Sequence, residues 1–440
     1  MVALLPPRSD MDSYFTTEPE IVSSPAYSPL AADSERVLQA ASSPQAGPSS
    51  QADLTADSRE PNPCSHFIYA CKNPLINLGP RFWGFPRPAY GFNGVVEGTV
   101  KFLEGKSTYA FRMTATLLGT VKVTTSQRGM LADSVDLAVV NKTIVFPPPP
   151  EGGFYLPGHT SDFSIPFPTY CQGGTTVLPP SYASWSPGVS TEVSYVLKVD
   201  VFRKGLRRHT QRTVPLFYFP KTWPPRPPFR GDITNAAYVA SGVLTNVHLN
   251  TRWPCGLRAT SNPNAPSVNI TFPSDPVFSS GFHMLLKLCV CSPQAPALTE
   301  LLLRRAEIRL IKRSRAWVKG NNLCTSRRSV VSSATFVDTH SREGSSEEIY
   351  ELLMGQPGAE QSWHVSETIE MAYAIEIIVQ PPETASNFIP AFHYQKPVQI
   401  ASEPWGTRES EMLQLGGHSA PALGLSNVQR ELRPCQSVNW

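Results

Sequence analysis

Apolar residues recur at every second position from Val193 to Val201, with Tyr195, Leu197 and Val199 between them, while Ser194, Lys198 and Asp200 fill alternate places. A helix would scatter those five apolar side chains around its circumference, whereas a strand puts all of them on one face. The basic turn Arg203-Lys204-Gly205-Leu206-Arg207-Arg208 follows, and then a second apolar run, Val214-Pro215-Leu216-Phe217-Tyr218-Phe219, stopped by Pro220. Two such runs around a glycine-containing turn predict an antiparallel hairpin that buries Tyr195, Leu197 and Val199 inside an all-β domain.

The same pattern returns along the chain. Tyr90–Phe102 reads as a turn and a strand, and Tyr109–Val123 as a strand long enough to be shared between two sheets. Val139–Phe146 reads as a strand ended by Pro147–Pro150, and Phe163–Pro168 as another. Strands are also expected at Val268–Pro273, Met284–Val290, Ala306–Lys312, Ile369–Val379 and Pro397–Ile400. With 44 prolines and only 17% charged residues, short strands and turns are favoured over helical bundles. A length of 440 residues exceeds what one core usually supports, so two domains are expected.

The expected organisation is a Ser/Pro/Ala-rich acidic segment over 1–62, a β-sandwich over 63–222, a proline-rich linker over 223–234, a second sandwich over 235–403 and a flexible tail over 404–440. A polar, mobile insertion is expected within the second sandwich at about 325–366. Residues 1–60 hold nine acids against three arginines, too little apolar surface to offset ordering entropy, so disorder is expected there. The start, Met1–Arg8, is not a charged n-region followed by an apolar h-region, and the expected setting is cytoplasmic.

A net charge of +3 does not point to nucleic acid. The eight cysteines are scattered without a CxxC pair, and Cys289-x-Cys291 in a strand-like run reads as packing. The nine histidines show no metal-ligand or triad spacing, and no GxSxG, P-loop or dinucleotide turn occurs, so neither an enzyme nor a cofactor is expected.

In order and spacing, several short motifs between Phe67 and Pro220 resemble the N-terminal domain of the arrestin family, in its α-arrestin or fungal arrestin-like branch. They are Gly94-x-x-x-Gly98-x-Val100, Leu117-x-Gly119, Leu156-Pro157-Gly158 before Phe163-x-x-Pro166-Phe167, Leu178-Pro179-Pro180-Ser181 and Val193-x-Tyr195-x-Leu197-x-Val199. The resemblance implies two tandem immunoglobulin-like sandwiches and a non-enzymatic adaptor that binds cytosolic segments of membrane transporters or receptors. It further implies a peripheral location at plasma membrane or endosomes and coupling to ubiquitylation through a HECT-type ligase. A vesicle-sorting scaffold that recruits no ligase is the alternative.

Two sets of candidate site residues follow. Pro179, Pro180 and Tyr182 satisfy PPxY, the ligand of WW domains in such ligases, yet they coincide with the sandwich segment itself, where Tyr182 reads as a packing aromatic. Arg203, Lys204, Arg207 and Arg208 form one basic group; Arg304, Arg305, Arg309, Lys312, Arg313 and Arg315 form another. Both could attract phosphorylated segments or anionic lipid headgroups, or simply solubilise loops and guard a sheet edge.

Overall fold

In the computed structural model, which describes residues 66–426 apart from 71–73, 104–108, 128–129, 149–152, 187, 205–208, 254–264, 319–322, 343 and 387, the alternating runs become two β-sandwiches in tandem. The first contains β1 (His66–Tyr69), β2 (Leu75–Pro80), β3 (Ala89–Tyr90), β4 (Val95–Lys101), β5 (Ala110–Gln127), β6 (Met130–Val145), β7 (Thr160–Pro166), β8 (Tyr182–Ser186), β9 (Val189–Arg203) and β10 (His209–Tyr218). One sheet runs β1-β2-β4-β7 and the other β3-β10-β9-β5-β6, with β8 paired to the first half of β9.

The hairpin forms as the alternation requires. β9 and β10 are antiparallel, with Leu197 opposite Val214, and Tyr195, Leu197, Val199 and Val201 are all buried. They meet Val96 and Val100 of the facing sheet and Leu117 of β5. A fully buried aliphatic side chain of this kind contributes about 1.5–3 kcal/mol. β5, long enough to be shared between two sheets, stays in one, paired with β6 and β9 along nearly its whole length. Gly119 on β5 lets the ring of Tyr195 lie across it: a Cβ there would sit 2.6 Å from Cε1 of that ring.

The second sandwich follows α1 (Ala236–Ala240) with β11 (Leu244–His248), β12 (Asn250–Arg252), β13 (Ser267–Pro273), β14 (Val277–Ser279) and β15 (His283–Cys291). Then come α2 (Pro296–Leu303), β16 (Ala306–Val318), β17 (Leu323–Ser333), β18 (Thr335–Arg342), β19 (Ser345–Leu353), β20 (Trp363–Val365), β21 (Ile369–Val379) and β22 (Ala391–Ala401). Its sheets run β11-β13-β15-β19-β18 and β12-β22-β21-β16-β17, enclosing Ile270, Leu286, Leu288, Leu310, Ile375 and Phe392.

Three expectations are corrected. The polar stretch 325–366 is not a mobile insertion: it forms most of β17 and all of β18, β19 and β20, which pair into both sheets. Cys289 and Cys291 point to one face as expected, but it is the outer one, because Met284, Leu286, Leu288 and Val290 take the inward face of β15. The two thiols therefore share the outer face, 3.5 Å apart. Burial pushes the Cys289 thiol up to about 11, so it stays protonated at neutral pH.

The third correction concerns the tail. Residues 404–426, expected to be flexible, form α3 (Arg408–Gln414) and then return to the first sandwich. Glu411 receives Lys221 at 3.0 Å, and Trp223 Nε1 donates to Thr407, which fixes one end of the proline-rich linker as well. Ser419 and Phe92 exchange two hydrogen bonds, the Ala422 amide donates to the carbonyl of Phe219, and Ala422 is buried beside Phe85 and Phe219. The acidic segment 1–62 and the end of the tail, 427–440, lie outside the described residues.

Candidate interaction surfaces

The two sandwiches meet along an apolar seam. Val123 of β5 touches Ala316 and Val318 of β16, with Val135 and Val189 alongside, and Val365 and Ile369 pack into the first core. The PPxY-type segment leads into this seam. Leu178, Pro179, Pro180 and Ser181 are all buried. The Tyr195 hydroxyl donates to the Pro179 carbonyl at 2.6 Å. Ser181 both donates its amide to the carbonyl of Tyr218 and accepts the Tyr218 amide on its Oγ.

Tyr182 is half-buried with its ring edge-on to Trp363, centroids 5.3 Å apart, and both rings touch both cores. Burial raises its hydroxyl above the usual phenolic range. Tyr182 is thus a packing aromatic, but of the joint between sandwiches rather than of one sandwich alone. Trp363, its partner across 181 positions, carries no local signal that would reveal the pairing.

The basic groups are less free than their charges suggest. Arg203 bonds Thr210, and the Lys204 ammonium lies 5.3 Å over the ring of Phe154. Arg207 and Arg208 lie outside the described residues. In the second group Arg304 pairs with Glu300 at 2.6 Å, Arg309 with Glu307 at 2.5 Å and Arg315 with Glu370 at 3.3 Å. Lys312 reaches Glu360 at 2.7 Å, and that carboxylate also accepts from the Tyr373 hydroxyl. Arg313 donates to Gln395, and Arg305 is exposed. The group therefore divides: Lys312 turns toward the buried Tyr373, while Arg309, Arg313 and Arg315 share the opposite face of β16.

On that face the carboxylate of Glu376, 3% exposed, is held between Arg328 and His393. Arg328 stands directly opposite Arg313 in the ladder. A buried carboxylate paired with an arginine lowers the field that the arginine count alone predicts. Glu300 and Glu307 are local partners, whereas Glu360, Glu370 and Glu376 stand 48 to 55 residues from the basic side chains they pair with, where no local pattern announces them.

A groove that the sequence did not reveal lies on the first sandwich. It has a volume of about 490 Å³ and runs between β2, β4 and the returning segment, with Trp83, Tyr90, Val95 and Thr99 on one side and His418 and Pro421 on the other. That volume falls in the range of ligand-sized pockets. Phe82 and Trp83 at its mouth are 63% and 46% exposed, and Trp83 holds φ of 68°, a left-handed conformation costing about 1–3 kcal/mol for a side chain of this size. The aromatic cluster Phe82-Trp83-Gly84-Phe85 was the signal available in the sequence; its far wall came from a segment read as tail.

Gly91 is the point of closest approach between that wall and the sandwich. A Cβ at Gly91 would lie 2.3 Å from the carbonyl oxygen of Ser419 and 2.6 Å from that of Ala420. Gly91→Ala should cost about 1–3 kcal/mol by pushing the segment away. Hydrogen exchange measures it: faster exchange is expected at the Ser419 and Ala422 amides, with the β9 amides unchanged.

No family model and no curated protein matches this chain. Among the described residues, no helix is long and apolar enough to cross a membrane.

Proposed function

We propose that the protein is a non-enzymatic, arrestin-like adaptor that binds cytosolic segments of membrane transporters or receptors at the plasma membrane or endosomes. The observation that carries this reading is the apolar seam, with Val123, Val189, Ala316 and Val318 between the sandwiches. A hydrophobic joint of this kind opposes hinge motion and holds a broad surface fixed, which suits a scaffold. The tandem order of the sandwiches supports the same reading.

Burial of Pro179 and Pro180 favours the version of this adaptor that recruits no ubiquitin ligase through that segment, closer to a sorting scaffold. The basic face of β16 is a docking area of moderate rather than high positive field, suited to a phosphorylated segment or an anionic headgroup only at close range.

Crosslinking the tagged full-length protein in cells and sequencing the crosslinked peptides tests this. Crosslinks between the sandwiches and cytosolic segments of transporters or receptors are expected. Their absence alongside abundant crosslinks to a soluble enzyme complex would overturn the adaptor reading, and a ligase WW domain crosslinked beside Tyr182 would restore the ligase version.

A further inference from the structure

β18 is the free edge of a sheet. It pairs only with β19 among the described residues, and all eight of its residues are exposed. Edge strands are usually blunted by shortness, charged side chains (lysine above all), proline or a bulge. Thr335–Arg342 has no lysine or proline, and its one irregularity lies near its start, between Phe336 and Asp338. From Asp338 to Arg342 the edge is regular.

The hydrogen-bond phase of that stretch follows from the hairpin. Arg342 faces Ser345 across a two-residue connection, which makes them a hydrogen-bonded pair. Alternation then turns the backbone groups of His340 and Asp338 toward β19 and those of Ser341 and Thr339 outward. Thr339 bears this out: its amide donates to the Asp338 carboxylate at 2.8 Å, a local stand-in for a missing strand.

We infer that β18 is a homodimerisation edge, pairing antiparallel with β18 of a second copy about a two-fold axis at His340. This register is the one in which outward groups meet: Thr339 of each copy opposes Ser341 of the other, giving four ladder hydrogen bonds. It also sets Asp338 of each copy opposite Arg342 of the other in a non-hydrogen-bonded pair, where side chains approach most closely, so two opposite-charge pairs form. The charge sequence of the strand is thereby complementary to its own reverse. The occupant is a second copy of this chain because that complementarity belongs to this sequence, not to a general peptide. The dimer is a weak one, since a single strand pair buries much less than a standard interface.

Sedimentation velocity of the full-length protein over a concentration series tests the inference. A reversible dimer is expected, weakened about ten-fold by Asp338→Arg and restored by Asp338→Arg combined with Arg342→Asp. Thr339→Pro removes an outward N–H and, toward β19, only the Thr339 hydroxyl bond to the Glu347 carbonyl. It should therefore abolish the dimer while lowering the melting temperature no more than Thr339→Val, which keeps the N–H and the dimer. A monomer at every concentration overturns the inference, as does a dimer indifferent to Asp338→Arg. Should Thr339→Pro fail to fold, the charge swap alone still decides.

Discussion

Leu197→Asp is expected to unfold the first sandwich at ordinary temperature. Leu197 has no exposed surface and stands between Leu117 on β5 and Val214 on β10. Removing the leucine costs about 2–5 kcal/mol in lost burial and cavity. A carboxylate in its place must then be neutralised or left unpaired, adding several kcal/mol more. The sum rivals the whole stability of a typical domain, about 5–15 kcal/mol.

Lys198→Asp, one residue on, serves as control. Lys198 faces Thr116 and Thr213 on the outer side, so a change within about 1 kcal/mol is expected there. Thermal melting followed by circular dichroism separates the two outcomes. A Leu197→Asp protein melting with wild type would mean that the register of β9 is off by one residue.

Tyr182→Ala is the second large effect. The ring joins Trp363 across the seam and touches both cores, so its loss should destabilise by ~3 kcal/mol through lost aromatic burial. Tyr182→Phe removes only the hydroxyl and should keep the fold within about 1 kcal/mol. Because the ring sits at the joint, Tyr182→Ala should also separate the melting of the two sandwiches, visible in calorimetry as a broadened or split transition. Trp363→Ala should reproduce that split, while a single sharp transition in both variants would mean that the joint is held elsewhere.

The sequence made the hairpin legible because a period of two on a half-buried strand depends on nothing distant. For Tyr195, Leu197 and Val199, local pattern alone decides which face is buried. β17 and β18 escape that pattern because exposed edge strands lack its apolar half: every residue of Thr335–Arg342 is exposed, so nothing alternates. The returning segment was misread for a related reason. It is held by backbone bonds to Phe92 and Phe219 and by the fit against Gly91, none of which needs a recognisable side-chain period.

The candidate sites divide along the same line. Burial of Pro179 and Pro180 could be anticipated, since they lead into β8, which pairs with the strand whose Tyr195 lies in the core. Pairing of Arg304, Arg309 and Arg315 with acids was partly local, through Glu300 and Glu307, and partly set by the ladder that puts Glu370 opposite Arg315. Glu376 was beyond reach, because its partners Arg328 and His393 come from strands on either side of β21 and β16.

The most direct test of the central claim, that this is a sandwich scaffold whose PPxY-type segment is structural, is binding of the intact protein to a WW-domain array, set beside a free peptide spanning Leu178–Trp185. A WW ligand must present its prolines as an accessible polyproline helix, and here both are buried and tied through the Pro179 carbonyl to Tyr195. The account predicts that the peptide binds and the intact protein does not. Intact protein that binds as well as the peptide, loses binding on Tyr182→Ala and keeps its melting temperature would contradict it.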